Sequence, residues 1–162
     1  MTHSSDIVSS IEQLLADRGS LQLSTLTPEG YPDISYTPFI RQHDSLYIFI
    51  SELAPHTRNL RLDQRCSVLI IEDEHQANNL FARRRLILKS RAAFLERSDA
   101  AWEETLQQFE TQRGKTIALL KSLSDFHLVR LTILGGSYIQ GFGQAFTFEQ
   151  ARFAEARQLE GS

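Results

Sequence analysis

The chain has 162 residues, with 17 basic and 20 acidic side chains and a formal net charge of −3. This length suits one domain built on one core, and the nearly balanced charge disfavours a protein that works mainly on the phosphate backbone of nucleic acid. The single cysteine, Cys66, excludes an internal disulfide framework and any cysteine-rich zinc or iron–sulfur site.

The chain begins with a predicted amphipathic helix over about residues 5–18. Apolar side chains recur at helical spacing at Ile7, Val8, Ile11, Leu14 and Leu15. A serine or Asp6 at the start can accept hydrogen bonds from the first free N–H groups, and Gly19 tolerates the left-handed conformation that often closes a helix. We expect this helix to lie across a sheet.

Most of the following chain has the periodicity of strands. Residues 21–26 and 32–40 flank the turn sequence Thr27-Pro28-Glu29-Gly30, and this pattern predicts a hairpin. Further strands are predicted at 46–51, 66–71 and 86–93, and a final pair at 126–133 and 138–148 is joined by Gly135-Gly136. Six or seven strands in hairpin order predict a closed or partly closed antiparallel barrel.

Helical spacing returns after the fifth predicted strand and again at the end of the chain. Inserted helices are predicted over about 98–123, with Ser98 or Asp99 as a cap, and a C-terminal helix is predicted over about 149–159. The fold class is therefore mainly β (α+β), a six- to seven-stranded antiparallel split β-barrel with flanking helices. We predict one domain over 1–162.

The first candidate site is the segment from Ser51 to Leu60, where a predicted buried strand gives way to a short helix. A helix N-terminus offers free N–H groups and partial positive charge, to which Thr57, Arg58 and Asn59 would add donors. Phosphate and carboxylate groups bind in such places. The alternative is a capped surface helix whose arginines are merely solvated, and the residues alone leave both interpretations open.

Three consecutive arginines, Arg83 to Arg85, form the second candidate site at the start of a predicted strand. Alternation sends Arg83 and Arg85 to one face and Arg84 to the other. Guanidinium groups can hold a propionate or phosphate through paired N–H donors. The alternative is a solvated strand start beside the acidic residues 72–74, and we favour it for Arg84.

Asp125, directly ahead of a predicted strand, is the third candidate. Its carboxylate could accept a hydrogen bond from a cofactor ligand or a bound water, although an Asp in this position more often serves a turn or a cap. The segment Gly141-Phe142-Gly143 is typical of a bulge or tight barrel corner, and alternatively of close approach to a flat ligand. The histidines do not have the close spacing of a metal site.

The order of these elements, with 28–32 followed by 35–39, resembles that of the pyridoxamine 5'-phosphate oxidase-like split barrel. Within that superfamily the chain resembles the haem-utilisation protein Z group (HutZ/HugZ type). The motifs that carry the resemblance are Ser51 to Leu60, Ile71-Glu72-Asp73-Glu74, Leu80-Phe81-Ala82-Arg83-Arg84-Arg85-Leu86 and Gly141-Phe142-Gly143-Gln144-Ala145. The resemblance covers nearly the whole chain, and its Phe-Ala-Arg and Gly-Phe-Gly-Gln-Ala segments are fairly specific to the group.

This resemblance implies a homodimer whose two barrels share an extensive interface, with a cofactor site on each side of it. In the broad superfamily the cofactor is FMN. The haem-utilisation branch instead binds haem and, with an electron donor, opens the porphyrin oxidatively to release iron. The implied function is thus haem degradation, and the alternatives are an FMN-binding oxidoreductase and a non-catalytic haem carrier.

The resemblance also implies roles for individual residues. Asp125 matches an acid that orients a proximal ligand or an active-site water, and this makes it the candidate catalytic residue. His56 and Arg85 match polar residues near the haem pocket. The positions that match those from which split barrels hold the FMN phosphate are Ser51, Thr57, Arg58 and Asn59.

The axial iron ligand is not identified from the sequence. In the group this ligand is a histidine in a C-terminal loop just after a glycine, and the present chain has Gly161-Ser162 where that histidine is expected. His56 or His127 are possible substitutes.

The expected location of the protein is the cytoplasm, without a nucleic-acid or membrane partner. The first residues lack the basic region and apolar core of an export signal. No apolar run approaches the roughly 20 residues that a membrane span requires.

Overall fold

In a computed structural model, which describes residues 4–160, nine strands form one antiparallel sheet. The strands are β1 (Ser20–Leu26), β2 (Pro32–Pro38), β3 (Ile40–Gln42), β4 (Ser45–Ser51), β5 (Arg65–Ile71), β6 (Arg85–Phe94), β7 (Phe126–Gly141), β8 (Gln144–Glu149) and β9 (Arg157–Gln158). The helices are α1 (Ser4–Asp17), α2 (Pro55–Leu62), α3 (Ala100–Arg113) and α4 (Thr116–Lys121). Each of these helices is too short or too polar to cross a bilayer.

The sheet curls into a barrel that is split along one line. Its main path runs β2-β1-β5-β6-β7-β4-β3, while β8 pairs with β7, and β9 pairs with β8. Strands β2 and β4 lie against each other, but within residues 4–160 no backbone ladder joins them. The predicted fold, an antiparallel split barrel with flanking helices, is confirmed.

The barrel core forms because every second side chain of its strands points inward. Leu21, Leu23, Val68 and Leu86 are buried members of one cluster, and the apolar stripe of α1 joins the same cluster. Full burial of one such aliphatic side chain contributes roughly 1.5–3 kcal/mol. The predicted N-terminal helix is therefore held by its packing on the barrel.

A second cluster covers the outside of the barrel at β4. Phe49 and Leu128 pack there against Trp102, Leu106 and Phe109 of α3. Asp99 caps α3 by accepting a hydrogen bond from the N–H of Ala101 at 2.9 Å. Strand β4 is consequently covered on both faces, as its nearly continuous apolar sequence predicts.

The predicted break at Gly135-Gly136 is wrong. Strand β7 runs unbroken from Phe126 to Gly141, and the chain reverses at Phe142-Gly143 instead. Gly136 serves a close approach between strands, because a Cβ atom on it would lie 2.1 Å from the carbonyl oxygen of Ile87. Gly143, with φ +65, provides the left-handed residue of the turn.

The predicted C-terminal helix over 149–159 does not form. Residues Phe153–Glu155 make one 3₁₀ turn, and β9 then pairs with the edge of β8. Gln150 has φ +52, which a helix cannot continue through. The buried ring of Phe153 meets that of Phe148 edge-on, with centroids 4.9 Å apart, so tertiary packing overrides the local helical spacing.

Candidate functional site

Ser51 organises the junction between β4 and α2. Its carbonyl oxygen accepts hydrogen bonds from Thr57 Oγ1 at 2.6 Å and from the N–H of Ala54 at 3.1 Å. Its side-chain oxygen accepts a further bond from the N–H of Leu53 at 3.1 Å. Pro55 occupies the first turn of α2, where its fixed φ suits a helix and its missing N–H is not needed. The tight turn thus fixes where the helix begins.

The same junction contacts Asp125. Ser51 pairs with Phe126 across the ladder of β4 and β7, which places Asp125 beside the end of β4. Ser51 Oγ donates to Asp125 Oδ2 at 3.3 Å, and the N–H of Glu52 donates to the Asp125 carbonyl oxygen at 2.6 Å. The structure therefore brings together two residues that lie far apart in the sequence, and it leaves the Asp125 carboxylate half-buried.

The other predicted residues of α2 divide between a buried and an exposed face. His56, Thr57 and Asn59 are buried, whereas Arg58 is exposed. Among residues 4–160 the Arg58 guanidinium has neither an ion pair nor a hydrogen bond. Arg58 is consequently the one predicted phosphate-binding side chain on α2 that faces solvent.

The buried polar face of α2 bonds to the two strands beneath it. Asn59 Nδ2 donates to Thr25 Oγ1 at 3.0 Å and to Asp33 Oδ2 at 3.1 Å. His56 Nδ1 is hydrogen-bonded to Ser35 Oγ at 2.9 Å. These bonds fix α2 against β1 and β2 and thus across the split of the barrel.

The environment of His56 favours its neutral form. Burial lowers the pKa of this imidazole below its ordinary value, and the negative charge of Asp33 opposes that effect only in part. His56 therefore supplies no full positive charge to the region at neutral pH.

Glu52 joins two further side chains at the outer edge of the junction. Its Oε2 atom lies 3.1 Å from Arg61 Nη2 and 2.5 Å from His127 Nε2. The bond from Arg61, aided by the charges of Arg61 and His127, lowers the pKa of the Glu52 carboxyl. The Arg61 guanidinium also stacks on Phe94 at 4.3 Å from the ring centroid. His127 thus contacts a carboxylate, an arrangement that also occurs where a histidine binds metal.

Sequence reasoning missed Asp33 and Ser35 as parts of this region, and it gave no role to Glu52 within the segment from Ser51 to Leu60. One signal was available, because Asp33 and Ser35 alternate on one face of a strand that follows the turn at Gly30. Their partners on α2 lie more than 20 residues away and cannot be assigned from spacing.

Arg85 lies in a different part of the molecule. It begins β6, where it pairs with Ile71 of β5 and Ile139 of β7. Its Nη1 atom donates to the carbonyl oxygen of Arg83 at 2.8 Å, and within the described chain it has no acidic partner. Arg85 is thus a half-buried cation whose charge is not neutralised by a neighbouring carboxylate.

The two other arginines of the triplet are tied to Glu72. Arg84 Nε lies 3.1 Å from Glu72 Oε2, and its backbone N–H donates to Oε1 at 2.7 Å. Arg83 Nε donates to the Glu72 carbonyl oxygen at 2.6 Å. Because Glu72 is buried, this pairing holds the loop between β5 and β6 in place. Arg84 is not merely solvated, and its role is structural.

One chain does not bring Arg85 together with the α2 junction. Asp125 precedes the end of β7 that pairs with Phe94, whereas Arg85 pairs near the other end of β7. Strand β6 is 10 residues long, which separates its ends by roughly 30 Å. The predicted site residues therefore form two groups at opposite ends of the sheet.

A cleft of about 530 Å³ lies at the Arg85 end. The loop before β6 and the β7–β8 hairpin line it, so the two most specific sequence motifs meet there. Phe81 and Phe142 are 85% and 70% exposed, respectively. Asn79 accepts a hydrogen bond from the N–H of Phe81 at 2.9 Å, which shapes the turn that holds this ring in solvent.

The described residues do not specify a metal ligand set. Across residues 4–160, His, Cys, Asp and Glu side chains do not gather in any group of three that could hold a metal ion. Burial raises the pKa of the Cys66 thiol to about 12, so this side chain remains a thiol at neutral pH.

Comparison with known proteins identifies the family. The sequence profile described as "Pyridoxamine 5'-phosphate oxidase" matches residues 7–140, and the chain belongs to this family of split barrels. Within it, the chain belongs with HutZ. It is 38% identical to a Vibrio cholerae protein named heme oxygenase HutZ over 136 residues, which are 84% of this chain and 77% of that protein.

Solved structures agree with this assignment. The crystal structure of Vibrio cholerae HutZ, described there as a heme storage protein, aligns with a TM-score of 0.74 at 36% identity, covering 77% of this chain and 88% of that one. Campylobacter jejuni ChuZ aligns with a TM-score of 0.83 at 28% identity, covering 98% of this chain and 67% of that one. The resemblance to the haem-utilisation group is confirmed.

Proposed function

We propose that this chain binds haem and degrades it oxidatively, releasing iron. The observation that carries the proposal is the 38% identity to a protein named heme oxygenase HutZ over most of both chains. Haem utilisation is common to that name and to the heme storage description of the HutZ crystal structure. We add to this shared role that the chain also catalyses haem breakdown.

We further propose that the working protein is a homodimer. A two-fold axis makes the same contact twice, so it can place Arg85 of one copy beside the α2 junction of the other and form two equal sites. Exposed apolar side chains at both ends support this arrangement. Leu53 lies just before α2 and Leu62 is its last residue, while Phe81 and Phe142 are exposed at the Arg85 end.

The two ends then have complementary roles. Arg85, whose charge has no acidic partner among residues 4–160, would hold a haem propionate through its guanidinium donors. Asp125 would accept a hydrogen bond from an iron ligand or a water and pass a proton toward the reacting oxygen. His56 would act through the position of α2, because its ring nitrogen is bonded to Ser35.

Bound haem supplies the oxygen-activating iron and the porphyrin that is opened, and an external electron donor supplies the reducing equivalents. The protein residues bind, orient and protonate. Ser51 contributes by donating to Asp125 Oδ2, which fixes the direction of that carboxylate. The cytoplasmic location stays a prediction.

A haem titration followed by turnover tests the proposal. We expect purified protein to shift the Soret band of hemin on binding, and the band to disappear when a reductant and oxygen are added. Colorimetric detection of free iron should rise in parallel. A Soret shift without breakdown would support the haem carrier instead, and the absence of a shift would reject both haem functions.

The alternative function is that of an FMN-binding oxidoreductase. The match to the pyridoxamine 5'-phosphate oxidase profile over residues 7–140 favours it. A yellow preparation with the flavin absorption doublet would support this alternative, and unquenched FMN fluorescence would reject it.

A further inference from the structure

The side chains aligned with an FMN phosphate cradle are already engaged in other bonds. Thr57 and Asn59 are 0% and 1% exposed. Thr57 donates its hydroxyl hydrogen to the Ser51 carbonyl oxygen, and Asn59 uses its two amide hydrogens on Thr25 and Asp33. Ser51 donates to Asp125. A phosphate approaching α2 would find these donors occupied by the protein.

Asp33 adds an uncompensated negative charge to the same place. Its carboxylate is half-buried and accepts from Asn59 Nδ2 through Oδ2 and from the N–H of Ile34 through Oδ1 at 3.1 Å. In the part of the chain that the structure describes, no arginine, lysine or histidine forms an ion pair with Asp33. Burial keeps its neighbour His56 mainly neutral at neutral pH, so this ring does not cancel the charge.

Within one chain, the remaining charges near α2 do not reverse this balance. Arg61 is paired with Glu52, and Asp125 contributes another carboxylate on the far side of Ser51. Arg58 is the one cation of α2 that lacks an acidic partner within residues 4–160. A phosphate monoester brings about −1.5 to −2 charges at neutral pH, and one exposed guanidinium in water attracts it only weakly.

We propose that Asp33 is a specificity-determining residue, which disfavours a phosphate-bearing flavin at α2 and leaves this end of the site to a ligand without phosphate. Asp33 acts by occupying the Asn59 amide and by repelling a second anion. The inference deepens the proposed haem function, but it is tested with flavins and therefore stands or fails separately.

The experiment compares FMN with riboflavin, which has the same ring system without the phosphate. Binding is measured by fluorescence quenching for the full chain and for Asp33→Asn, whose side-chain oxygen can still accept from Asn59. We expect the unmodified protein to bind FMN no more tightly than riboflavin. Asp33→Asn should bind FMN tighter than riboflavin by about tenfold, the scale of one removed like charge at short range.

Glu110→Gln is the matched control, because Glu110 is a carboxylate as half-buried as Asp33 but lies on α3, which packs on the outside of the barrel. It should leave the ratio of FMN to riboflavin affinity unchanged. In the unmodified protein, added salt should raise FMN affinity relative to riboflavin, since screening weakens repulsion. The salt measurement uses only the unmodified protein, so it does not depend on whether a variant folds.

Two results would overturn the inference. One is an unmodified protein that already prefers FMN to riboflavin, and the other is an Asp33→Asn protein that gains no preference or binds neither flavin. Hemin titration of the same samples separates the outcomes. A failed Soret shift would count against the haem function, whereas the flavin ratio alone decides the role of Asp33.

Discussion

Ser51 and Asp125 are joined by a 3.3 Å hydrogen bond between side chains at the point where β4 ends and β7 begins. The neighbouring backbone bond from Glu52 to Asp125 fixes the same contact from the main chain. The Ser51 hydroxyl holds one oxygen of the carboxylate while the bond from Glu52 holds the backbone of Asp125, so the carboxylate has a defined direction, which is a requirement for moving a proton to a particular atom.

Replacing this carboxylate tests its role directly. Asp125→Asn should reduce the rate of haem breakdown by about 100-fold, because an amide cannot accept and return a proton in the same way. Hemin binding and the melting temperature should change little, since the backbone bond from Glu52 remains. The measurement is the decay of the Soret band with a reductant. Undiminished decay would remove Asp125 from the reaction.

Arg85 and Arg84 form a matched pair of adjacent arginines with different expected effects. Arg85→Gln should weaken hemin binding by about tenfold, because it removes a cation that has no acidic partner among residues 4–160. Arg84→Gln should instead lower the free energy of unfolding by about 1–3 kcal/mol, since it leaves the buried Glu72 carboxylate underbonded. Hemin titration and urea unfolding of both variants separate the two roles. Equal effects of both changes on binding would contradict the assignment.

A mixed dimer tests whether two chains complete each site. Each site would contain Asp125 from one copy and Arg85 from the other, so a heterodimer of Asp125→Asn and Arg85→Gln has one fully altered and one intact site. We expect this heterodimer to recover roughly half of the unmodified turnover per dimer, although each homodimer is impaired. Differently tagged chains allow its purification. If turnover in the heterodimer stays at the level of the homodimers, the shared site is wrong.

Asn59 should matter for stability rather than for anion binding. Asn59→Ala leaves the buried Thr25 hydroxyl and the Asp33 carboxylate without this donor, and it should lower the free energy of unfolding by about 1–3 kcal/mol. Arg58→Ala, on the exposed face of the same helix, should change it by less than about 0.5 kcal/mol. Urea unfolding measures both. If both variants lower the free energy of unfolding by a similar amount, the buried hydrogen bonds of Asn59 do not stabilise the fold as argued.

The lowered pKa of His56 predicts a pH-dependent stability. Because its folded pKa lies below the ordinary value of 6.5, the unfolded chain binds a proton more readily, and stability is retained above that value and lost as the pH falls below it. His56→Gln should flatten the dependence of unfolding free energy on pH just below 6.5. Glu52→Gln serves as the control, because the pKa of Glu52 is lowered from 4.5 and its effect belongs to more acidic solutions.

Local patterns predict much of this fold. The alternation of Leu21, Leu23 and Thr25, for example, identifies the inward face of β1, since burial imposes a period of two on a strand. Gly135-Gly136 misleads because glycine serves both turns and close strand contacts, and only the neighbouring backbone of Ile87 distinguishes them. The segment after Glu149 misleads because its helical spacing competes with the free edge of β8.

Local sequence patterns predict the candidate site less well than the fold. The sequence identifies Ser51 and Asp125 as polar residues at strand ends, but their contact depends on the register between β4 and β7. The separation of Arg85 from α2 depends on the antiparallel order of the whole sheet, which local spacing does not encode. The bond from Asn59 to Asp33 is likewise a product of how α2 packs.

The line between β2 and β4 has a mechanical consequence for the barrel. In the described part of the chain these strands touch without a backbone ladder, and α2, which follows β4, is bonded to β2 through His56 and Asn59. The helix therefore holds β2 and β4 together where no backbone ladder joins them. When the bonds from α2 to β2 break transiently, the barrel should open first between β2 and β4. Amide hydrogens of β2 should therefore exchange with solvent sooner than those of the central strand β6.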